Sequence, residues 1–240
     1  MKIIAHRGDS AHHPENTPAS WNAAFARGAY AIEADIRFST DGIGICAHDP
    51  TLSRMFERPE RADALAYGEL AALAKAQGAV IGLYADVLAH AADWRTVLLD
   101  LKDESPLGLE RVWQAIDQQV PQDRRHLVIV GCHTREAVAF FAARGGVTIL
   151  GFILERDAGV DFINTGATII RLWESDVTPQ RMAPLQALGA QIWVTTGEGS
   201  TGRLVGDTDA PSLAALQRAG VEGVLVNDVR LTKTILETLK

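Results

Sequence analysis

Short apolar segments with strand character recur along the whole chain, and stretches with helical period separate them. β-Branched content and flanking Gly, Asp or Asn identify the strands. The eight predicted strands are Lys2–Ala5, Ala29–Ile36, Thr96–Leu101, His126–Val130, Val147–Leu154, Ala167–Leu172, Gln191–Thr195 and Gly223–Val226. Such alternation predicts an α/β fold with a parallel sheet, either closed as a TIM barrel or open and doubly wound. The strand count favours the closed (β/α)8 barrel.

The helical stretches support the same architecture. They are predicted at Thr17–Arg27, Leu107–Val120, Thr134–Arg144, Thr178–Leu188, Pro211–Ala219 and Leu231–Leu239. Cap signals precede three of them, at Ser105, Thr134 and Thr178. The 240 residues are close to the about 250 that a TIM barrel typically needs. We therefore predict a single domain over residues 1–240.

Two segments interrupt the alternation. Residues from about 51 to 80 combine several charged residues with an Ala-rich helical run, and we expect a small helical insertion there, either a substrate wall or solvated surface. The segment Gly197–Asp209 is too rich in glycine for a helix and predicts a long loop after a strand. Loops of this kind line the active sites of barrels.

Charge and hydropathy limit the classes of function. The chain has 23 Lys+Arg against 30 Asp+Glu, a net charge of −7, which argues against a nucleic-acid partner. Charged residues interrupt the N-terminal segment before a secretion signal could form, and no run is long enough for a membrane span. Cys46 and Cys132 lack the spacing of metal or redox motifs and are expected to be buried thiols. We expect a cytoplasmic protein.

Acidic side chains lie near the ends of two predicted strands. Residues two apart in a strand share a face, so Glu33 and Asp35 point to one side, as do Asp100 and Lys102. A carboxylate inside a barrel is costly unless it is paired or bound to a cation. Two interpretations follow: a divalent metal site, Mg²⁺ or Ca²⁺ by its oxygen ligands, or an ion-pair cluster neutralised by Lys102 and nearby arginines.

Two histidines favour the metal interpretation. His6 directly follows the first strand, and His48 directly follows the apolar run Gly44–Ala47. Near carboxylates of this type they would supply the acid and the base of a hydrolytic step. Arg7 and Lys102 add positive charge suited to an anion such as phosphate. The histidines that lack this context, expected in loops, on the surface or in the core, are His12, His13, His90, His126 and His133.

Short motifs appear in a specific order over the first half of the chain. They are His6-Arg7-Gly8, Pro14-Glu15-Asn16-Thr17, Glu33-Ala34-Asp35, Thr40-Asp41-Gly42, His48-Asp49-Pro50-Thr51-Leu52 with Arg54, and Leu99-Asp100-Leu101-Lys102. Looser similarity follows at Ile192–Thr195 and Gly220–Asp228. In order and spacing this series resembles the glycerophosphodiester phosphodiesterases.

The resemblance implies a TIM-barrel enzyme that uses one divalent cation to cleave a glycerophosphodiester into sn-glycerol 3-phosphate and an alcohol. In the family's mechanism one histidine deprotonates the glycerol 2-hydroxyl for attack on phosphorus, and the other protonates the departing alcohol. The roles carried over are metal ligation by Glu33, Asp35 and Asp100, acid/base catalysis by His6 and His48, and substrate binding by Arg7, Lys102 and Trp193. The resemblance does not show which histidine is the acid.

The chain also departs from the family's pattern. Asp100 stands where the family usually has Glu, so the cation must lie closer to that strand or bind through water. Thr-Val-Asn is replaced after Trp193, and the last strand ends in Asn227-Asp228. These changes concern the substrate wall and the pocket for the alcohol. We expect Trp193 to contact substrate, and Trp173 to pack.

Two further hypotheses compete with the leading one. The chain is either a phosphodiesterase, a non-catalytic barrel that binds metal and phosphate, or a phosphodiesterase acting on a lysophospholipid. The altered late motifs and Asp100 motivate the second. The absence of an evident amphipathic membrane-binding segment argues against the third. In each case the expected partner is a small molecule.

Overall fold

The computed structural model describes residues 1–153 and 158–239. The strands in this part of the chain are β1 (Lys2–Ala5), β2 (Ala31–Phe38), β3 (Gly44–Cys46), β4 (Thr96–Leu101), β5 (Val128–Cys132), β6 (Thr148–Phe152), β7 (Ile169–Trp173), β8 (Gln191–Thr195) and β9 (Gly223–Val226). The helices are α1 (Pro18–Ala26), α2 (Ser53–Phe56), α3 (Tyr67–Ala76), α4 (Tyr84–Ala92), α5 (Pro106–Gln119), α6 (Arg135–Arg144), α7 (Gly159–Thr165), α8 (Pro179–Ala187), α9 (Ala210–Arg218) and α10 (Val229–Thr238).

Eight of these strands close into a parallel barrel. Their order is β1-β9-β8-β7-β6-β5-β4-β2, and the pairing of β2 with β1 completes the ring. The remaining strand, β3, pairs with β2 in the antiparallel direction and lies outside the ring. Helices surround the sheet, so the predicted TIM barrel is confirmed.

Strand boundaries agree with the prediction at β1, β4, β8 and β9, and shift toward the C-terminus at β2, β5 and β7. In β2 the extension has a clear cause, because Phe38 pairs with Gly44 of the added strand β3. The predicted strand Val147–Leu154 corresponds to β6, and its last residue lies outside the described residues. Helices α4 and α7 were absent from the prediction.

Alternation along the strands separates two apolar layers. Side chains that point into the barrel form a cluster made of Ile4, Ala31, Leu98, Ile129, Leu150, Phe152, Ile169, Trp193 and Leu225. The intervening residues pack against the helices in a larger cluster. The three predicted caps are present, since the side chains of Ser105, Thr134 and Thr178 each accept a hydrogen bond from the first turn of the helix that follows.

The predicted helical insertion is also present. Helices α2 and α3 lie in the segment between β3 and α4. They share an apolar cluster of their own, which includes Ile45, Phe56 and Leu70. A packed cluster of this kind gives the insertion a defined position beside the barrel. The longest described helix, α5, has 14 residues, and none in the described part of the chain could cross a bilayer.

Candidate active site

The carboxyl ends of the parallel strands surround a cavity of about 390 Å³. A cavity of this size suits a small organic ligand. Its walls are formed by His6, Arg7, Glu33, His48, Asp100, Lys102, His133, Phe152, Arg171, Trp173, Thr195, Val205 and Leu225. Polar groups are concentrated on the side of β1, β2 and β4, while aromatic and apolar groups line much of the opposite side.

Three buried carboxylates form the floor on the polar side. Glu33, Asp35 and Asp100 each place one carboxylate oxygen within 4.8 Å of the others. Burial and the charges of Asp35 and Asp100 raise the pKa of Glu33 well above its ordinary value. The cluster thus has an excess of negative charge that a bound cation would relieve, and its all-oxygen donors suit a hard divalent ion. These residues can hold a metal.

Two cations already pair with this cluster. Lys102 Nζ lies 3.0 Å from Asp35 Oδ1 and 2.7 Å from Asp100 Oδ2. Arg7 Nε lies 3.3 Å from Asp35 Oδ2, and its backbone N–H donates to Glu33 Oε2 at 2.7 Å. The ion pairs that the second interpretation predicts are therefore present. Three carboxylates nevertheless face two side-chain cations, so these ion pairs do not exclude a bound metal.

The backbone conformation of the loop after β1 positions Arg7 for these contacts. Arg7 has a φ of 59° and Gly8 a φ of 84°, both in the left-handed region. A Cβ on Gly8 would lie 2.3 Å from Ser20 Oγ, so helix α1 leaves room only for glycine. Asn16, in the same loop, binds Asp35 through both its amide atoms. Thr17 alone caps α1.

His6 is held in one orientation by the last strand. Its Nδ1 lies 2.9 Å from Asn227 Oδ1, and the Asn227 amide nitrogen donates to the carbonyl of Val205 at 2.8 Å. This amide orientation makes Asn227 Oδ1 the acceptor, so Nδ1 carries the proton and Nε2 keeps a free lone pair. Burial, aided by the charge of Arg7, lowers the pKa of His6 from 6.5 to about 4. His6 is therefore neutral at neutral pH.

His48 has a carboxylate partner where His6 has an amide. Its Nδ1 lies 2.7 Å from Asp49 Oδ1. Arg54 of α2 fixes Asp49 through its Nε at 2.5 Å and also pairs with Glu15. The insertion therefore helps to position a site residue. Glu15 joins Arg54 to Arg7.

Comparison with known proteins relates this arrangement to a family. The sequence profile of the Glycerophosphoryl diester phosphodiesterase family matches residues 6–130, more than half of the chain. The chain belongs to this family. The matched segment includes both of the oriented histidines, the three clustered carboxylates and their two cations.

Individual relatives align over short stretches. Glycerophosphodiester phosphodiesterase 1 of Homo sapiens is 46% identical over 54 residues, which cover 22% of this chain and 16% of the human protein. A glycerophosphodiester phosphodiesterase of Caldanaerobacter subterraneus is 46% identical over 52 residues, which cover 22% of this chain and 21% of that protein. The alignments thus span about a fifth of these relatives or less.

Solved structures share the whole fold. The glycerophosphodiester phosphodiesterase from Thermotoga maritima superposes with a TM-score of 0.76 at 20% identity and covers 97% of both chains. An Oleispira antarctica phosphodiesterase in complex with the product sn-glycerol-3-phosphate gives 0.82 at 19% identity, covering 99% of this chain and 97% of that one. At these identities the similarity concerns the fold.

Trp193 does not lie at the cavity of this family member. It is the central residue of β8, fully buried in the barrel interior. Its ring meets Tyr30 edge-on at 6.3 Å, and Lys2 Nζ lies 5.7 Å from its centre, so it occupies the end of the barrel opposite the cavity. The prediction that Trp193 contacts substrate was therefore wrong. Thr195 ends β8 and lines the cavity instead.

Three cavity residues were missed or misjudged. Trp173, predicted to pack, ends β7 and lines the cavity. His133, expected to lack a role, lies with its Nε2 2.7 Å from Asp100 Oδ1 and stacks on Phe152 at 4.9 Å. Arg171, which was not predicted as a site residue, is a buried cation in the same wall. The sequence did contain a signal for them, because they follow β5 or lie on β7, at the same strand ends as the acidic residues.

Proposed function

We propose that this family member hydrolyses glycerophosphodiesters to sn-glycerol 3-phosphate and an alcohol, with one Mg²⁺ or Ca²⁺ ion bound. One observation carries the proposal: a single cavity brings three buried carboxylates together with two histidines, each fixed at Nδ1 by a different partner, Asn227 for His6 and Asp49 for His48. Family membership supports the reaction class.

The metal would be held by Glu33, Asp35 and Asp100. Burial acts to raise the pKa of Asp100, but the hydrogen bond from His133 and the charge of Lys102 outweigh it and lower that pKa. Asp100 is thus an ionised ligand despite being shorter than the usual Glu. A bound divalent ion supplies positive charge that stabilises a hydroxyl or phosphate oxygen as it becomes more negative.

The histidine environments suggest a division of roles. His6 is neutral with Nε2 unprotonated, so we assign it to accept the proton of the glycerol 2-hydroxyl. His48, paired with Asp49, is assigned to donate a proton to the departing alcohol, which leaves a cyclic phosphate joining the glycerol 2- and 3-oxygens. Water then opens this ring at the 2-oxygen, with the two histidines in reversed roles, to give sn-glycerol 3-phosphate. The Asp49 carboxylate serves to orient the His48 imidazole for the proton transfer.

Arg7 and Lys102 are assigned to the phosphate oxygens. An ammonium group has three donor hydrogens, and the Lys102 group has two carboxylate partners, so one donor remains for substrate. Arg7 likewise has five donors and lines the cavity. Their positive charge favours the anionic diester at a site whose surroundings are acidic.

The test is release of sn-glycerol 3-phosphate from glycerophosphocholine or glycerophosphoethanolamine with Mg²⁺ or Ca²⁺ present. We expect hydrolysis that stops when a chelator is added, and that falls by about a hundredfold or more in His6→Ala and His48→Ala. His126→Ala, at an exposed histidine outside the cavity, is the control. Full activity in either catalytic variant, or turnover in chelator, would refute the assigned roles.

A further inference from the structure

Arg171 is a cation that the proposed chemistry does not use. Its side chain points into the cavity from β7 and is 5% exposed. Its Nε and Nη1 are buried and have no hydrogen-bond partner, and no carboxylate of the described residues forms an ion pair with it. A buried donor without a partner costs free energy, so an arginine in this state calls for an anionic ligand.

The wall around Arg171 is constructed to hold the guanidinium rather than to neutralise it. The Trp173 ring lies 4.1 Å from the guanidinium carbon, and the Phe152 ring lies 4.9 Å from it. Stacking against aromatic faces restricts the side chain while leaving the N–H edges available for a carboxylate or a phosphate. Thr195 and Leu225 carry no charge. Burial lowers the pKa of Arg171 to about 10, and the charges of Asp100, Asp176 and Glu33 act against that shift without forming an ion pair with it.

The position of Arg171 separates it from the cleavage site. Strand β7 is four strands from β2 in either direction around the ring, so the two strands face each other across the barrel. Glu33 and Asp35 are on β2, beside the two cations assigned to the diester phosphate. The glycerol 2-hydroxyl is assigned to His6, which follows β1 beside β2, so the alcohol is the portion of the diester left to cross the cavity to Arg171.

We propose that Arg171 binds a second anionic group, carried by the alcohol portion of the substrate. The inference rests on the proposed function and narrows its substrate class: the preferred glycerophosphodiester has a carboxylate or a phosphate on its leaving alcohol. The stacked guanidinium accepts that group at the far wall, while the diester phosphate lies beside Arg7 and Lys102.

Two matched substrate pairs test this. Glycerophosphoserine differs from glycerophosphoethanolamine by one carboxylate, and glycerophosphoinositol 4-phosphate differs from glycerophosphoinositol by one phosphate. We expect the anionic member of at least one pair to have the higher kcat/KM. In Arg171→Met that preference should fall by about tenfold to a hundredfold, the value of one charge-assisted contact. The readout is the ratio of kcat/KM between the two members of a pair, and which pair responds identifies the anion.

Controls separate the possible failures. Arg230→Met, at an exposed arginine on α10, should behave as the parent. Arg171→Lys retains the positive charge and should keep part of the preference. It also serves as the test variant if Arg171→Met does not fold. Equal loss on both members of each pair, or no preference in the parent, would overturn the proposal. If the protein cleaves none of the four diesters, the proposed function fails, and calorimetric binding of the same four compounds to the parent and Arg171→Met decides the role of Arg171.

Discussion

The protonation state of His6 sets the expected pH dependence of the reaction. Its pKa is lowered from 6.5 to about 4 by burial and by the charge of Arg7. A general base must be unprotonated, so activity is present above this pKa and is lost as the pH falls through it. We expect kcat/KM to remain near its maximum down to about pH 5. A pH–rate profile checks this, and an acidic limb centred at 6.5 would contradict it.

The variant Asn227→Asp tests whether His6 controls the acidic limb of the pH–rate profile. The substitution places a carboxylate beside His6 Nδ1, where the amide oxygen now lies 2.9 Å away. A neighbouring negative charge stabilises the imidazolium and raises its pKa. The acidic limb should therefore move to higher pH. A limb that stays in place would show that another group controls it.

His133 is expected to support metal binding through Asp100. Its Nε2 lies 2.7 Å from Asp100 Oδ1, while Lys102 occupies the other oxygen. Hydrogen-bond partners of metal ligands orient them, and their loss typically weakens metal affinity by about tenfold or more. Calorimetric titration of His133→Ala with Mg²⁺ and Ca²⁺ should show this loss. Affinity equal to that of the His126→Ala control, or tighter, would remove His133 from the metal site.

The residues predicted from the sequence are those whose placement is a local property of one strand. The two-residue period alone put Asp35 beside Glu33, and Lys102 beside Asp100. His133 reaches Asp100 only because β5 pairs with β4 in the register that places Gly131 opposite Asp100. That register follows from the closure of the barrel, which single-strand patterns do not contain. Arg171 was missed for the same reason.

At the scale of elements, Glu174 joins three segments near the cavity. Its carboxylate accepts hydrogen bonds from the Gly197 N–H at 2.8 Å and the Ser212 hydroxyl at 2.6 Å, and it pairs with Arg203. It thereby holds the loop 197–209, from which Val205 lines the cavity. Glu174→Ala should free this loop, raising KM several-fold with a smaller effect on kcat. It should also cost about 1 to 3 kcal/mol of unfolding free energy.

Steady-state kinetics and urea unfolding measure the two effects. Glu237→Gln, at an exposed site on α10, is the control and should leave both unchanged. Limited proteolysis should cut loop 197–209 faster in the Glu174 variant. Unchanged KM and cleavage rate would show that the loop holds its position without Glu174.

The elements themselves were largely predictable because their ends carry local signals. Thr134 and Thr178 mark helix starts, and glycines mark the long loop, which contains one short 3-10 turn at Gly199–Thr201. Strand β3 is different: only three residues long, it is stabilised by pairing with β2 and by packing of Ile45 and Cys46. Helix α4 follows from burial of one face against β4, including Val87 and Leu88, which is tertiary information.

At the scale of the whole molecule, charge must be considered locally. The net charge of −7 weighed against a nucleic-acid partner, yet it says little about an anionic small molecule. Within the cavity, Arg7, Lys102 and Arg171 share one end of the barrel with the three carboxylates, and the rest of the barrel interior is apolar. A bound divalent ion would add to the positive charge of these cations. Because the carboxylate cluster is buried in the fold, its charge also affects the unfolding free energy of the whole protein.

Glu33→Gln tests that link. The pKa of Glu33 is raised by burial and by Asp35 and Asp100, so its ionised form destabilises the metal-free fold as the pH rises above the unfolded-state value of 4.5. In chelator at neutral pH, Glu33→Gln should therefore be more stable than the parent. With metal at a hundred times its dissociation constant, the parent should gain about 2.7 kcal/mol of unfolding free energy. The variant should gain much less, because it lacks a ligand.

Urea unfolding with and without Mg²⁺ or Ca²⁺ measures the unfolding free energy of the parent and of the variant in both conditions. An equal metal-dependent gain in both proteins would show that Glu33 is not a ligand.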